Sequence, residues 1–194
     1  VSDSPTEWNP QVYGPLAAEL LGQRIPSLDA GKPEPSMRQR LAAVRVEELF
    51  APRRIVDSDL AQACLAAVWL WHDFLDESHT ISQQIDRSEG SYWHALMHRR
   101  EGDFSNSKYW LRRVGEHAVF VPLHEAAQRL AAGCWVPQIE ALLQRPAWDA
   151  LGFVDLCAAA VRGAAGTADW CRQVQAAEFR LLWDHCYRGA VGGL

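Results

Sequence analysis

SYWHALMHRREGDFSNSKYWLRRVGEH, residues 91–117, decides how the rest of this chain reads. Gly102 stops one helix and Asp103 caps the next, because glycine accepts the left-handed C′ conformation and an aspartate side chain accepts from free first-turn N–H groups. The spacing predicts a helix from Ser88 or Ser91 to Gly102 and a second from Phe104 to Val114, stopped by Gly115. On the first helix Tyr92, Trp93, Leu96 and Met97 share the core face, and Arg100 falls within it near the helix end. His94, His98 and Glu101 follow i, i+4, i+7 and form a polar stripe. On the second helix Phe104, Trp110, Leu111 and Val114 point one way and Asn106, Tyr109 and Arg113 the other. Two polar stripes on a helical hairpin are expected to converge on a groove.

Upstream, Asp57 or Ser58 caps the most apolar helix, expected from about Asp59 to Glu77. Leu60, Cys64, Ala67, Val68, Trp71, Phe74 and Leu75 form its broad buried face. Ser78–Gly90 reads as a polar connector with one helical turn. Ser36 and Gln39 form a capping box that opens a helix to Phe50, and Pro52 prevents its continuation. Residues 1–35 hold six of the ten prolines and read as an irregular arm with one short helix, Pro15 to Gly22, anchored by Trp8 and Tyr13. Downstream, Pro122 and Pro137 each suit the first position of a helix, and Pro146 closes the second of these. Two more helices follow, Ala147–Val161 and, after a Thr167 cap, Ala168–Tyr187, with the tail GAVGGL frayed. No β-branched run alternates with period two. The expected fold is all-α: a single-domain irregular bundle of eight or nine helices over 36–194, built from antiparallel hairpins, with the Pro-rich arm 1–35.

The 194 residues, 48% of them hydrophobic, suffice for one sizeable core, to which most of the nine tryptophans should contribute, Trp148, Trp170 and Trp183 among them. A formal net charge of -5 argues against a nucleic-acid binder, which needs basic surplus to neutralise phosphate. No apolar run reaches spanning length, and VSDSPTEWNP shows no secretory signal, so no membrane partner is expected. The five cysteines, Cys64, Cys134, Cys157, Cys171 and Cys186, form no CxxC pair. Reduced buried thiols and a cytoplasmic location are the expectation.

REGDFSNSKYWLRRV resembles the hairpin of a tetratricopeptide repeat, with Gly102, Asp103 and Phe104 at the turn and Ser107 as the small residue of the second helix. No second copy occurs at that period. The words WHDFLDESH and HRREGDFSNSKYWLRRVGEH are also similar to a family of uncharacterised all-α proteins, over about residues 65–120. That resemblance implies a helical fold and brings no activity with it.

The chemistry-bearing candidates are His94, His98, Glu101, Asn106, Tyr109, Arg113, His72, Asp76 and His79. Histidines at i, i+4 put two imidazoles on one helix face, as metal sites require, and His79, Asp76 or His72 would supply a third ligand. The plainer reading is a solvated or stacked histidine pair. His72 and Asp73 spell a metal phosphohydrolase dyad, but no histidine precedes His72 to complete it. His72 is expected instead at the core edge, bonded to a carboxylate such as Asp76. Cations crowd residues 99–113 and acids crowd 73–89, which favours an internal ion-pair network with Arg100 and Arg112 partly buried; an anion site is the alternative. There is no nucleophile elbow and no glycine-rich phosphate loop. The preferred function is a partner- or peptide-binding helical module with a polar groove and no cofactor. The alternative is a metal-dependent hydrolase or a binder of a small anionic ligand, holding a divalent metal at His94, His98 and His79.

Overall fold

A computed structural model of the chain describes residues 8–133 and 135–193, and Cys134 therefore lies outside the described residues. Among these residues the fold is entirely helical, with no strand. After a 3-10 turn (Pro10–Tyr13) come α1 (Pro15–Leu21), α2 (Pro35–Ala42), α3 (Val46–Phe50), α4 (Ser58–Trp71), α5 (Leu75–Ser82) and α6 (Ser88–Glu101). Then follow α7 (Phe104–Val114), α8 (Phe120–Leu130), α9 (Pro137–Leu143), α10 (Ala150–Val161) and α11 (Ala168–Val191). The count is eleven α-helices where eight or nine were expected, because two expected helices are broken.

The break that matters to the site lies at the end of α4. The apolar wheel runs on through Phe74 and Leu75, yet the helix stops at Trp71 and Asp73 turns to a positive φ of 70°. An aspartate tolerates that region better than most residues, and here tertiary contacts hold it there. Its Oδ1 accepts from Arg100 Nη2 at 2.5 Å and its Oδ2 pairs with Arg24. Arg100, 4% exposed, also donates to the carbonyls of Leu70 at 2.7 Å and Asp29 at 3.0 Å. Gly31 packs so tightly on this carboxylate that an added Cβ would lie 2.6 Å from Asp73 Cγ. One ion pair thus ends α4, redirects the chain into α5 and fastens the N-terminal segment.

Other departures have local causes. Ser36 does not cap α2 and forms no capping box with Gln39: Glu34 holds the N-cap, Pro35 is the first helical residue and Ser36 the second, and the helix ends at Ala42, with α3 a separate short piece. Helix α8 starts at Phe120, two residues before Pro122, whose missing N–H falls in the first turn where none is needed. Asp149 caps α10 by accepting from Gly152 N at 2.8 Å, which moves its start to Ala150. Helix α11 runs to Val191 instead of fraying after Tyr187, because Ala190 is buried and its carbonyl accepts from Val56 and Asp57.

The core lies where α4, α6 and α11 meet, with Trp71, Trp93 and Trp183 wholly buried. Phe179 packs against both Trp71 and Trp93, at ring separations of 4.5 and 4.9 Å. The N-terminal segment is tied to it: Trp8 donates to the Gly22 carbonyl at 2.7 Å and Tyr13 donates to Asp184 at 2.9 Å. The described cysteines, Cys64, Cys157, Cys171 and Cys186, are free and buried. No described helix is long and apolar enough to cross a membrane.

Candidate metal centre

Helix α6 is buried on every side from Glu89 to Arg100, although six of those twelve residues are polar or charged side chains. Each buried polar group therefore needs a partner inside the protein. Arg99 finds Glu178 on α11 at 2.5 Å, both side chains being 1% exposed, and Tyr92 donates to the same carboxylate at 2.9 Å. Arg100 is held by Asp73 as described. Arg112 was expected to join this network, but it is exposed: at the surface of α7 it follows the helix periodicity and not the local charge balance. Arg99, which the wheel did not single out, takes the buried place instead.

Except for Glu101 at its end, the polar stripe of α6 does not face solvent. Helix α7 folds back across it from the Gly102–Asp103 turn, and Asp103 caps α7 by accepting from Asn106 N at 3.0 Å. Ser107 is small enough to sit in the helix–helix seam, where its hydroxyl donates to the Ala95 carbonyl at 2.8 Å. On the other side the turn at Asp73 sets α5 against α6. Gly90 lets the α5–α6 loop pass close over the start of α6, since a Cβ there would meet the Ile85 carbonyl oxygen at 2.3 Å. Between α5 and α7, His94 and His98 are 3% and 6% exposed, so the α6 histidines of the expected groove are buried, while Tyr109 and Arg113 on α7 stay exposed.

Three imidazoles meet there, His94 and His98 buried and His79 half-buried. The ring centroids are 4.5 Å apart for His79 and His94, 4.6 Å for His94 and His98, and 5.4 Å for His79 and His98. One ligating nitrogen from each lies within 4.8 Å of the others. Zn–N bonds of about 2.0–2.1 Å would place tetrahedral nitrogens about 3.4 Å apart, so the rings would close by roughly 1 Å around an ion.

The hydrogen bonds on these rings bear on that chemistry. Glu101 Oε1 lies 2.5 Å from His98 Nδ1, so that nitrogen carries a proton and, in the neutral ring, Nε2 has the lone pair. Asn106 Nδ2 lies 3.0 Å from Nε2 and donates to it. A carboxylate on the far nitrogen of a histidine is the usual outer support of a metal ligand, fixing tautomer and orientation. Nδ1 of His94 is buried without a hydrogen-bond partner, and its ring stacks on Trp110 at 4.1 Å. Burial, followed by the neighbouring His98 and His79, holds the His94 pKa at about 3. Its imidazole is therefore neutral at physiological pH, which is the form a metal needs.

The remaining candidates divide cleanly. Glu101 and Asn106 belong to the cluster through His98. Tyr109 is 51% exposed and touches the cluster only through its neighbour Trp110. Arg113 sits 5.2 Å over the Trp110 ring and does not reach the imidazoles in these contacts. Asp76 is exposed on α5. His72 points away: its Nε2 pairs with the Leu20 carbonyl at 2.8 Å, not with Asp76, because it caps the end of α4 next to the turn. Trp110, read from the sequence as core, is the wall of the cluster. Its place i+4 from Asn106 was the available signal. Beside the centre, Glu101 also lines a depression of about 180 Å³ with Gly31, Gly102, Phe104 and Val161.

Comparison of the chain with protein-family models, with curated proteins and with solved structures found no match.

Proposed function

We propose that the protein binds a divalent first-row transition metal through His79, His94 and His98, with zinc as the best-matched ion, and that the centre is of the hydrolytic type. The observation that carries the reading is the meeting of three imidazoles from two helices within 4.8 Å, inside a fold that buries two of them. Its support is chemical as well as geometric. Nε2 of His98 is the lone-pair nitrogen, Glu101 holds the opposite proton, and His94 is neutral with an unpartnered buried nitrogen. Three imidazoles leave a fourth position for water, and zinc in such a setting lowers the pKa of bound water to about 7. Glu101, on Nδ1 of His98, would act from behind that ligand, fixing its tautomer and orientation.

The groove-binding module has less support, because the α6 histidines that would line it are buried between α5 and α7. The test is elemental analysis and Co²⁺ titration of protein produced without added affinity histidines. The expected result is one tightly held equivalent with the visible absorption of low-symmetry Co²⁺, lost in His79→Gln. Failure to bind Zn²⁺ or Co²⁺, or binding unchanged in His79→Gln, would overturn the proposal. His79 is half-exposed, so that variant is expected to fold.

A further inference from the structure

A second group of ligating side chains meets at the opposite end of α6. Glu89 comes from the first turn of that helix, His117 from the loop between α7 and α8, and His185 from α11. One ligating atom from each lies within 4.8 Å of the others. His185 Nε2 is 3.1 Å from Glu89 Oε1, and the rings of His117 and His185 are 4.8 Å apart. Nε2 of His117 is buried with no partner. Glu89 is only 7% exposed and also accepts from Ser88 Oγ at 3.1 Å.

We infer that Glu89, His117 and His185 form a second divalent-metal site, of two-histidine, one-carboxylate composition, opening onto the surface of the α6–α11 seam. That donor set suits zinc or ferrous iron and leaves coordination positions for water or a small oxygen-donor ligand. Space for such a ligand exists. A cleft of about 580 Å³ adjoins the cluster and has Glu89 and His185 in its wall, with Arg87, Leu181 and Arg188. Both arginines carry acidic partners, Arg87 with Asp57 at 2.6 Å and Arg188 with Asp184 at 2.7 Å, so the cleft is not simply a basic anion trap.

The hydrogen bonds also set the rank of the site. Nδ1 of His117 lies 3.2 Å from the Val119 N–H and accepts from it, which leaves the ring proton on Nε2. An ion on Nε2 must move that proton to Nδ1 and give up the Val119 contact. It must also come between Glu89 and His185. The second site is therefore the weaker one and fills after the three-histidine centre.

The test follows imidazole ¹⁵N resonances of the full chain during stepwise Zn²⁺ addition, with calorimetric stoichiometry on wild type, His79→Gln and His185→Gln. Two equivalents are expected in wild type. The later, weaker one should shift the His117 and His185 rings and vanish in His185→Gln, while the tighter one vanishes in His79→Gln. Glu89→Gln should weaken only the second equivalent. A single equivalent that disappears in His79→Gln overturns the second site and leaves the first standing. A single equivalent that disappears in His185→Gln supports the second site and removes the first. A second equivalent that leaves the His117 and His185 resonances unmoved also overturns it.

Discussion

The two ends of α6 carry the same chemical groups in opposite arrangements. At the C-terminal end Glu101 takes the Nδ1–H of His98, so the lone pair on Nε2 is left with only an amide donor, Asn106. At the N-terminal end Glu89 takes Nε2 of His185, and the Val119 N–H engages Nδ1 of His117. The first cluster is enclosed by Trp110 and α5, while the second adjoins an open cleft. The difference shows that histidine proximity alone does not rank metal sites. Which ring nitrogen the protein already hydrogen-bonds decides how much must be undone before an ion can bind.

The largest way to break this comparison is at Asp73. Asp73→Ala strands the buried Arg100 guanidinium, and removing one partner of a buried pair costs about 3–5 kcal/mol. Urea denaturation should show a loss of that size. Because Asp73 also sets the direction of α5, zinc affinity should fall at the His79 cluster and hold at Glu89, His117 and His185. Equal losses at both ends would mean that the turn does not position His79.

Acid should probe both ends separately. Burial is the main cause that depresses His94 to about 3 and His117 to about 4, against ordinary values near 6.5. In both cases the unfolded chain binds the proton and the folded chain does not. Metal-free protein therefore keeps this part of its stability above about pH 6.5 and loses it as pH falls toward the folded values. For His94 the loss is about 2 kcal/mol on going from about pH 7 to about pH 5. His94→Phe, which keeps a ring against Trp110, should flatten that slope in pH-dependent denaturation. His117→Phe should remove a smaller share.

The fold around the first cluster was largely legible, and the reasons are local. Gly102, Asp103 and Gly115 are cap residues whose backbone preferences act without tertiary help, and α6 and α7 end where they dictate. The i, i+4 spacing placed His94 and His98 together, and His79 was within reach as a third ligand. The break after Trp71 was not legible, since the apolar periodicity continues and the cause is an ion pair with Arg100, 27 residues away. The second cluster left no trace in local spacing: Glu89 and His185 are 96 residues apart and His117 lies in a loop.

The two carboxylates give a finer comparison. Glu101→Gln removes the support behind His98 and should weaken zinc at the first cluster about 10- to 100-fold, as outer-shell losses do. Competition titration against a zinc chelator would read this, and an unchanged affinity would mean Glu101 is only a surface partner. The smallest effect is expected from Asn106→Ala. It frees Nε2 of His98 from a competing donor, so zinc should bind about 2- to 10-fold more tightly, the worth of one net hydrogen bond. Weaker binding would instead make Asn106 part of the bound centre.

The most direct measurement is anomalous diffraction at the zinc edge from crystals grown with Zn²⁺. A peak bonded to one nitrogen each of His79, His94 and His98, at about 2.0–2.1 Å, is the predicted result. At saturating zinc, density with no peak among those three rings would contradict it.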